Sequence, residues 1–564
     1  MKSKQEVKIT REQSKGSRLF IIIDKLMIIV LIVAILLFIL YPILCVVLRS
    51  VKTPTGISFS IYQELFGKNK KLLWNSVFVA FLAGVFSTLL SVAVASFVVF
   101  LKPKAKAIFS TFLLITMVSP PFVSSLAYIQ LFGRRGSITH GLLGLSLNPY
   151  GFIGVVIMQT IYFSSLNALL LIGLLDRVDG NLLQASKDLG GKNSSTYRLV
   201  LLPLIKPAIF VCFLLSFIRS MADYGTPVVI GGRYENLATA IYMQLVGFSN
   251  LEKSAAMNVL LLVPAIIVFI FYRYLMKKNE RWLARENSEA KVEKAEYRPG
   301  GFIGFLIIAL SLLFYSVMTL QYGSIFLNSF SKLKKGKRHF SLEPFQNMMN
   351  RSADTFIRSI TYALIVALVG SLIGILLSYY IDRRKIYLGS FWDFVVTIPY
   401  MIPGSCFGIG YILAFNSLPL KLTGTAVIVV LNMIFKQLSI TTKVTSASLT
   451  QLSTELDLAA ADLGATKPQI LKDIILPNIK NAFMVGFVNN FTSAMVTAGA
   501  VIFLVTPGQK IAVFTLFDAI NTGKYAEASM ISTVLIFCTV VVNLLFIGLT
   551  KGKKKGAPYV SNIG

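Results

Sequence analysis

The sequence predicts an all-α integral membrane protein of about twelve transmembrane helices, arranged as two parallel repeats of about six helices each. Of its 564 residues, 55% are hydrophobic and only 14% are charged, whereas a soluble chain of this length carries more polar surface. Twelve apolar runs approach the roughly 20 residues that cross a bilayer, and backbone groups in lipid must be satisfied within each segment, which predicts helices. The runs cover residues 19–48, 72–101, 108–132, 151–175, 203–221, 259–276, 302–326, 357–381, 391–415, 426–440, 482–505 and 531–549.

The formal net charge of +30 has two possible origins, which are nucleic-acid binding and membrane orientation. With a cytoplasmic amino terminus, about 35 Lys and Arg side chains fall on the cytoplasmic side and about 20 outside, as the positive-inside rule requires. We therefore predict a multi-pass protein of the bacterial inner membrane, with both termini cytoplasmic and no nucleic-acid partner. The basic stretch 332–338 falls outside and departs from the rule. It would contact either anionic lipid headgroups or an acidic partner.

Side chains that carry metal or catalytic chemistry are sparse. The four cysteines stand singly in apolar runs and the chain has only two histidines, so we predict no metal cluster. Residues 190–195 resemble a phosphate-binding loop only superficially. Ser186 stands where its first glycine is required, and Asn193 follows Lys192 where Ser or Thr would hold magnesium. We expect no enzyme activity and no cofactor in this chain.

An internal repeat indicates two homologous halves. Residues 181–190 (NLLQASKDLG) and 455–464 (ELDLAAADLG) align at an offset of 274 residues. The same offset relates the Leu-Pro pairs that end at Pro203 and Pro477, and it continues to Gly225 and Gly499.

The polar segment 277–299 separates the halves and is predicted to be an exposed, flexible cytoplasmic linker. It leaves a first half at residues 1–276 and a second at 300–564. Because each half has an even number of spans, the repeats are parallel and both copies of the motif face the same side.

Each copy of the motif is predicted to be a short polar helix that ends at a glycine. Glycine tolerates positive φ and so permits a helix stop and a sharp turn, and the following Leu-Pro marks the entry to the next span. One copy alone is typical of an ordinary amphipathic helix at the membrane surface. Two copies at a fixed offset favour a pair of helices that transmit movement from a cytoplasmic partner into the membrane.

Residues 184–190 and 458–464, each followed by Leu-Pro, resemble the EAA motif of binding-protein-dependent ABC importers of type I, and the resemblance covers both halves. It implies that each copy is a coupling helix docked on one of two ATPase subunits, and that an extracytoplasmic binding protein delivers the substrate. Gln184 and Leu458 replace the glutamate that is usual at the first motif position. The implied coupling residues are Gln184, Ala185, Ser186, Asp188 and Gly190 in the first half, and Leu458, Ala459, Ala460, Asp462 and Gly464 in the second.

Within that family, residues 222–232, 237–242 and 399–404 resemble the fused iron(III) permeases. The resemblance implies ferric iron as substrate, although permeases similar in these stretches also serve aminoethylphosphonate, polyamines and thiamine. A proton- or sodium-coupled secondary transporter remains a remoter alternative. It would need membrane-embedded carboxylates, of which the predicted spans offer little beyond Asp223.

Several polar residues in apolar surroundings are candidates for the transport pathway. Asp223 and Tyr224 could offer oxygen ligands to a hard cation, but Asp223 could equally cap a turn or pair with Arg219. The remaining candidates suit helix repair or interhelical hydrogen bonds as readily as a substrate route. They are Ser124, Ser405, Asn490 and Thr497, the last being the counterpart of Asp223 in the second half.

Overall fold

The computed structural model describes residues 22–53, 56–67, 69–145, 148–283, 294–334 and 337–551, which are mostly helical. Long helices and short connecting helices alternate in the first half. They are α1 (Ile22–Val51), α2 (Ser60–Gly67), α3 (Lys70–Val99), α4 (Pro103–Val118), α5 (Pro121–Phe132), α6 (Phe152–Asp176), α7 (Gly180–Asp188), α8 (Asn193–Ala222), α9 (Gly225–Ile230), α10 (Leu237–Gly247) and α11 (Leu251–Leu283). A small hairpin of β1 (Lys52–Thr53) and β2 (Gly56–Ile57) follows α1.

The second half repeats this plan. Its helices are α12 (Gly301–Ser329), α13 (Glu343–Arg383), α14 (Gly389–Met401), α15 (Gly404–Phe415), α16 (Ala426–Thr450), α17 (Glu455–Asp462), α18 (Lys480–Val496), α19 (Ala512–Asn521) and α20 (Tyr525–Lys551). Shorter helical turns occupy residues 467–478, Lys294–Tyr297, Pro507–Gln509 and, in the first half, Ser137–Leu142. An antiparallel hairpin of β3 (Ser331–Lys334) and β4 (Lys337–Phe340) joins α12 to α13, with Ser331 opposite Phe340.

Nine helices in the described ranges are long and apolar enough to cross a membrane, and α14 with α15 would add a tenth if counted as one span. The all-α membrane fold is therefore confirmed. Three of the twelve predicted runs are broken instead of continuous. Prolines interrupt the runs 108–132 and 391–415, because proline lacks an N–H and forces the residue before it out of helical geometry. The two helices of the run 391–415 meet at an angle of 110°. The run 482–505 stops when α18 ends and Thr497 adopts extended geometry.

The sequence repeat holds at the level of whole helices. α6 and α16 begin and end 274 residues apart, and α11 and α20 begin at the same offset. In the first half, α3 packs along α6 and α8, and in the second, α13 packs along α16 and α18. The first helix of each half crosses to the other half, since α1 packs against α15 while α12 packs against α3 and α5. The two halves are thereby interlocked.

The junction between the halves differs from an exposed linker at both described ends. α11 continues to Leu283, beyond the predicted boundary at residue 276. Residues 284–293 lie outside the described residues. Beyond them, Tyr297 is buried and the Lys187 ammonium lies 4.3 Å from its ring centroid. The end of the predicted linker, residues 294–299, is thus packed against the first half, and the domain boundaries themselves stay a prediction.

Candidate coupling surface and membrane pathway

Both copies of the repeated motif lie on one face of the molecule. The second copy contacts the carboxyl end of α13, where Arg383 Nε lies 2.7 Å from Asp457 Oδ2. The first copy is followed by Ser194, whose hydroxyl donates to the Gly300 carbonyl at 2.8 Å, at the start of α12.

The opposite ends of α12 and α13 meet at the β3–β4 hairpin. There the Ser341 amide donates to the Phe330 carbonyl and Lys332 pairs with Glu343. A helix of the length of α12 spans about 43 Å at 1.5 Å per residue. The two motifs therefore share one face, which we name the coupling face, and the hairpin marks the far face.

The first motif folds as α7, a capped helix that stops at a left-handed glycine. Asp179 caps its amino terminus, with Oδ1 accepting from the Asn181 amide at 2.9 Å. Leu183 is fully buried and fixes the helix against the bundle. Gly190 then adopts φ of +79°, a conformation that costs other residues about 1–2 kcal/mol. The predicted glycine stop is present.

The second motif folds as α17 and ends in the same way, with Gly464 at φ of +86°. Its anchor differs, because a single guanidinium holds it. Arg383 contacts both carboxylate oxygens of Asp457 and also donates to the carbonyls of Leu452 and Ser453 at 2.8 and 2.6 Å. The Arg383 side chain is only 7% exposed, so this ion pair is shielded from solvent.

The two motifs present the same exposed leucine. Leu189 and Leu463 each precede the left-handed glycine, and they are 89% and 90% exposed. Large apolar side chains that are this exposed at matched positions are candidates for contact with a partner. Sequence reasoning missed both leucines, although the shared Asp-Leu-Gly of the two copies was a signal that could have found them.

Most of the predicted coupling residues share this exposed surface, but one position in each copy does not. Ser186 is half-buried, and its hydroxyl bonds the Thr196 hydroxyl at 2.8 Å. Ala460, its counterpart 274 residues on, is buried. Both side chains therefore face the protein. The exposed members are Gln184, Ala185, Asp188, Gly190, Leu458, Ala459, Asp462 and Gly464.

Asp223 follows the end of α8 and is held by hydrogen bonds. Its Oδ2 accepts from Gln159 Nε2 at 3.0 Å, and its Oδ1 accepts from the Thr226 amide at 3.2 Å. Gln159 in turn accepts from the Ser220 hydroxyl at 2.6 Å. Asp223 thus caps the turn into α9, and within the described chain it forms no ion pair with Arg219. Its place in a pathway stays a prediction.

Tyr224 reaches from the first half to the second. Its ring is buried, and its hydroxyl has no hydrogen-bond partner among the residues described. A Cβ built on Gly499 would lie 3.5 Å from this ring, so the two pseudo-equivalent turns after α8 and α18 face one another. Thr497, partly exposed, lies two residues before that glycine.

An aromatic cluster surrounds Tyr224 and bridges the halves. Ring centroids of Phe122 and Tyr224 are 6.1 Å apart, and Tyr242 stacks on Tyr224 at 6.0 Å. The second half contributes Phe517, 5.0 Å from Phe122, and Phe503, 6.4 Å from Tyr242. We name these five residues the aromatic layer. Sequence reasoning missed it because its members come from five separate segments.

The other polar residues that were candidates for the pathway differ in where they lie. Ser405 Oγ donates to Asn258 Oδ1 at 2.9 Å, a hydrogen bond between the halves, and Ser124 is buried near the start of α5. Asn490, in contrast, lies inside the second half, where it bonds Ser371 and Thr441. Its geometry is that of an interhelical hydrogen bond, which was one of its two predicted roles.

Lys436 is a partly buried cation that sequence reasoning missed. Its ammonium donates to the carbonyls of Pro399 and Ile402, the latter at 2.7 Å. These carbonyls lie at the sharp bend between α14 and α15, where the broken helix leaves them without helical partners. A lone lysine inside the apolar run 426–440 was the available signal.

A metal cluster was not predicted, and the described residues contain no group of three or more His, Cys, Asp or Glu that could hold one.

Comparison with known proteins identifies the family. The protein-family model described as "Binding-protein-dependent transport system inner membrane component" matches the chain twice, at residues 87–281 and 347–552. The chain is 30% identical to the putative ferric transport system permease protein FbpB 1 of Haemophilus influenzae, over 78% of this chain and 71% of that protein. It is 28% identical to the ferric transport system permease protein FbpB of Actinobacillus pleuropneumoniae, over 84% and 70% respectively.

Other relatives match less than half of the chain over most of their own length. The putative 2-aminoethylphosphonate transport system permease protein PhnV of Salmonella typhimurium is 24% identical over 43% of this chain and 88% of its own length. The chain therefore belongs to the family of binding-protein-dependent transport system inner membrane components, as a permease in which two copies of the domain are fused.

Proposed function

We propose that this chain is the membrane-spanning permease of an ATP-driven importer of ferric iron. The observation that carries the proposal is the pair of matched coupling helices on one face, each ending in an exposed leucine and a left-handed glycine. Two relatives that align over most of the chain are named as ferric transport permeases, which supports iron as the cargo.

The two coupling helices, α7 and α17, would pass their movement to different membrane helices. One ATPase subunit would contact Leu189 and the other Leu463, and each would bind ATP and Mg²⁺, since we propose no nucleotide site in this chain. Movement of α17 reaches α13 through Arg383, and movement of α7 reaches α12 through the contacts of residues 294–300. Both helices extend to the far face.

We propose that the coupling face is cytoplasmic and the far face extracytoplasmic. The positive-inside rule predicts that both termini are cytoplasmic, and both described ends of the chain lie at the coupling face. Asp24, near the start of α1, pairs with Arg384 at the coupling-face end of α13, and α20 runs towards the same face. An extracytoplasmic binding protein would then deliver its cargo to the loops 225–258 and 506–529.

The cargo would cross between the halves at the aromatic layer. Tyr224 belongs to that layer and Asp223 precedes it in the chain, and both side chains carry oxygen atoms, which ferric iron favours as a hard cation. Rocking of the two halves would part Tyr224 from Gly499 and open the route, while the layer closes it in the present conformation.

Other cargoes are less well supported. The phosphonate relative and a spermidine/putrescine permease match only 43% and 40% of the chain, and thiamine rests on motif resemblance alone. A secondary transporter would need a free membrane carboxylate, whereas both oxygens of Asp223 accept hydrogen bonds.

Reconstitution tests the proposal. The chain, its ATPase and its binding protein are placed in proteoliposomes, and uptake of labelled ferric iron is measured with and without ATP. We expect uptake that needs both partners and is not displaced by spermidine or aminoethylphosphonate. Uptake driven by a proton or sodium gradient without ATP would overturn the importer class, whereas ATP-driven uptake of another cargo would overturn only iron.

A further inference from the structure

A cavity of about 640 Å³ opens at the far face, between the two halves. This volume falls in the range of small-molecule sites. The first half contributes the end of α5 and the loop before α6, and the second contributes the β3–β4 hairpin and the starts of α13 and α20. Its polar and charged lining residues are Gln130, Arg134, Arg135, Tyr150, Asn328, Ser331, Lys332, Arg338, Glu343, Asn347, Lys524, Tyr525 and Glu527.

The cavity carries an excess of positive charge. Five of its lining residues are basic and two are acidic. The acidic groups are already engaged, because Glu343 pairs with Lys332, and Glu527 accepts from Asn347 Nδ2 at 3.2 Å with Lys524 at 4.0 Å.

Three arginines are left without a carboxylate. Neither Arg134 nor Arg135 has an ion-pair partner in the part of the chain that the structure describes, and Arg338 donates only to the Ser137 hydroxyl at 3.2 Å. Guanidinium groups bind oxyanions through paired hydrogen bonds. The electrostatics of the cavity therefore favour an anion.

The floor of the cavity is preorganised. Gln130 Nε2 donates to Ser529 Oγ at 2.7 Å, and its Oε1 accepts from Asn328 Nδ2 at 2.7 Å and Ser324 Oγ at 2.9 Å. Since Gln130 belongs to the first half and its partners to the second, this buried network fixes the distance between the walls. A ligand bound above it would contact both halves.

The positive-inside rule gives no reason for these charges, because they lie on the face opposite the coupling helices. The glutamine of the cavity floor has no counterpart in the second half, since position 413, which corresponds to Gln130 when the last residues of α5 and α15 are aligned, is a leucine. A flat basic surface would favour a protein partner, whereas a concave cavity of this size favours a small ligand.

We propose that this cavity binds a multiply charged oxyanion, such as phosphate or a polycarboxylate, with Arg134 and Arg135 as its principal ligands. The phosphate group could be a free ion or the headgroup of an anionic phospholipid, which share the same chemistry. This inference does not depend on which cargo crosses the membrane.

The test uses the full chain with its ATPase subunits in phosphatidylcholine nanodiscs, titrated with inorganic phosphate or citrate by calorimetry at constant ionic strength. We expect binding that is at least tenfold weaker in the Arg134→Gln/Arg135→Gln double variant. Both side chains are exposed, so the fold should tolerate these changes. The matched control is Arg233→Gln/Lys421→Gln, which removes two exposed cations from the same face outside the cavity and should leave binding unchanged.

Repeating the titration in nanodiscs that contain phosphatidylglycerol separates the two sources. If phosphate and citrate no longer bind in the nanodiscs that contain phosphatidylglycerol, a lipid headgroup occupies the cavity. If their binding is unchanged, the occupant is a free ion. Either result supports the proposal. Absence of binding in both lipids overturns it, as does equal binding by the arginine variant. Weaker capture of the binding protein by that variant, without any anion binding, would also overturn it and assign the arginines to a protein interface.

Discussion

The two halves share a plan of helices at a constant offset, yet they hold their coupling helices differently. In the first half, α7 is followed by Asn193 and Ser194, which bond the backbone of residues 296–300 that leads into the second half. In the second half, Arg383 ties α17 to α13 of the same half. The contacts that hold the first coupling helix therefore cross the junction between the halves, whereas the Arg383 anchor of the second coupling helix lies within its own half.

The coupling helices are therefore alike in what they expose and unlike in what holds them. The glycine stops and exposed leucines are equal in both halves, as we expect if both meet the same kind of partner. The halves differ in the contacts that anchor these helices, in the residue at the position of Asp223 and Thr497, and in what each contributes to the far-face cavity. Variants at matched positions can therefore separate what the halves share from what they do not.

The largest effect is expected at the shared glycines. Gly190→Val and Gly464→Val each place a β-branched residue at positive φ, which costs about 1–3 kcal/mol of backbone strain and redirects the leucine before it. We expect ATP-dependent uptake in proteoliposomes to fall at least tenfold in both variants, while ATP hydrolysis continues. Gly548→Val, at an exposed position of α20 with open space and no positive φ, is the control. Wild-type uptake by either variant would contradict the coupling role.

The next largest effect is expected at Arg383, whose loss affects only the second coupling helix. Arg383→Ala leaves Asp457 and two carbonyls without their partner, a cost of about 3 kcal/mol for a shielded ion pair. Hydrogen exchange of residues 452–463 should accelerate, and that of residues 181–190 should not. Lys443→Ala breaks an exposed pair with Asp393 and should cost less than about 1 kcal/mol. Equal acceleration in both coupling helices would show that the anchors are not separate.

A smaller effect is expected where the halves differ at the interface. Asp223→Asn keeps the size of the side chain and removes its charge, so we expect labelled ferric iron uptake to fall about tenfold, as for the loss of one charged contact. Thr497→Val, at the matched position, should change uptake by less than about twofold. Unchanged uptake by Asp223→Asn would leave that residue as a turn cap alone.

The smallest effect is expected at the junction. Ser194→Ala removes the hydroxyl that accepts from the Gly300 amide at 3.1 Å, a loss of about 1 kcal/mol. Exchange of the Gly300 amide should accelerate about fivefold, with uptake nearly unchanged. Ser195→Ala, whose side chain is exposed, is the control. No change at Gly300 would mean that the contact does not stabilise the junction.

Several features could be predicted from the sequence because they depend on local properties of the chain. Length and hydropathy identify the spans, since the bilayer fixes how many apolar residues a helix needs. The offset of 274 residues identifies the halves, and the glycine at the end of each motif identifies a helix stop. The three broken spans were harder to predict. Pro120 and Pro403 allow either a kinked helix or a full break, and no proline marks the break at Thr497. Only neighbouring helices decide between these outcomes.

The amino-acid sequence by itself determined that this protein is a helical membrane protein of two fused halves, each with one glycine-ended helix on the same face. Only the tertiary structure decided what contacts those helices and what lies between the halves. Arg383 and Asp457 are 74 residues apart, Ser194 and Gly300 are 106 apart, and Gln130 and Ser529 are 399 apart. Hydropathy and backbone preference act over a few residues, whereas these contacts exist only once distant helices have packed together.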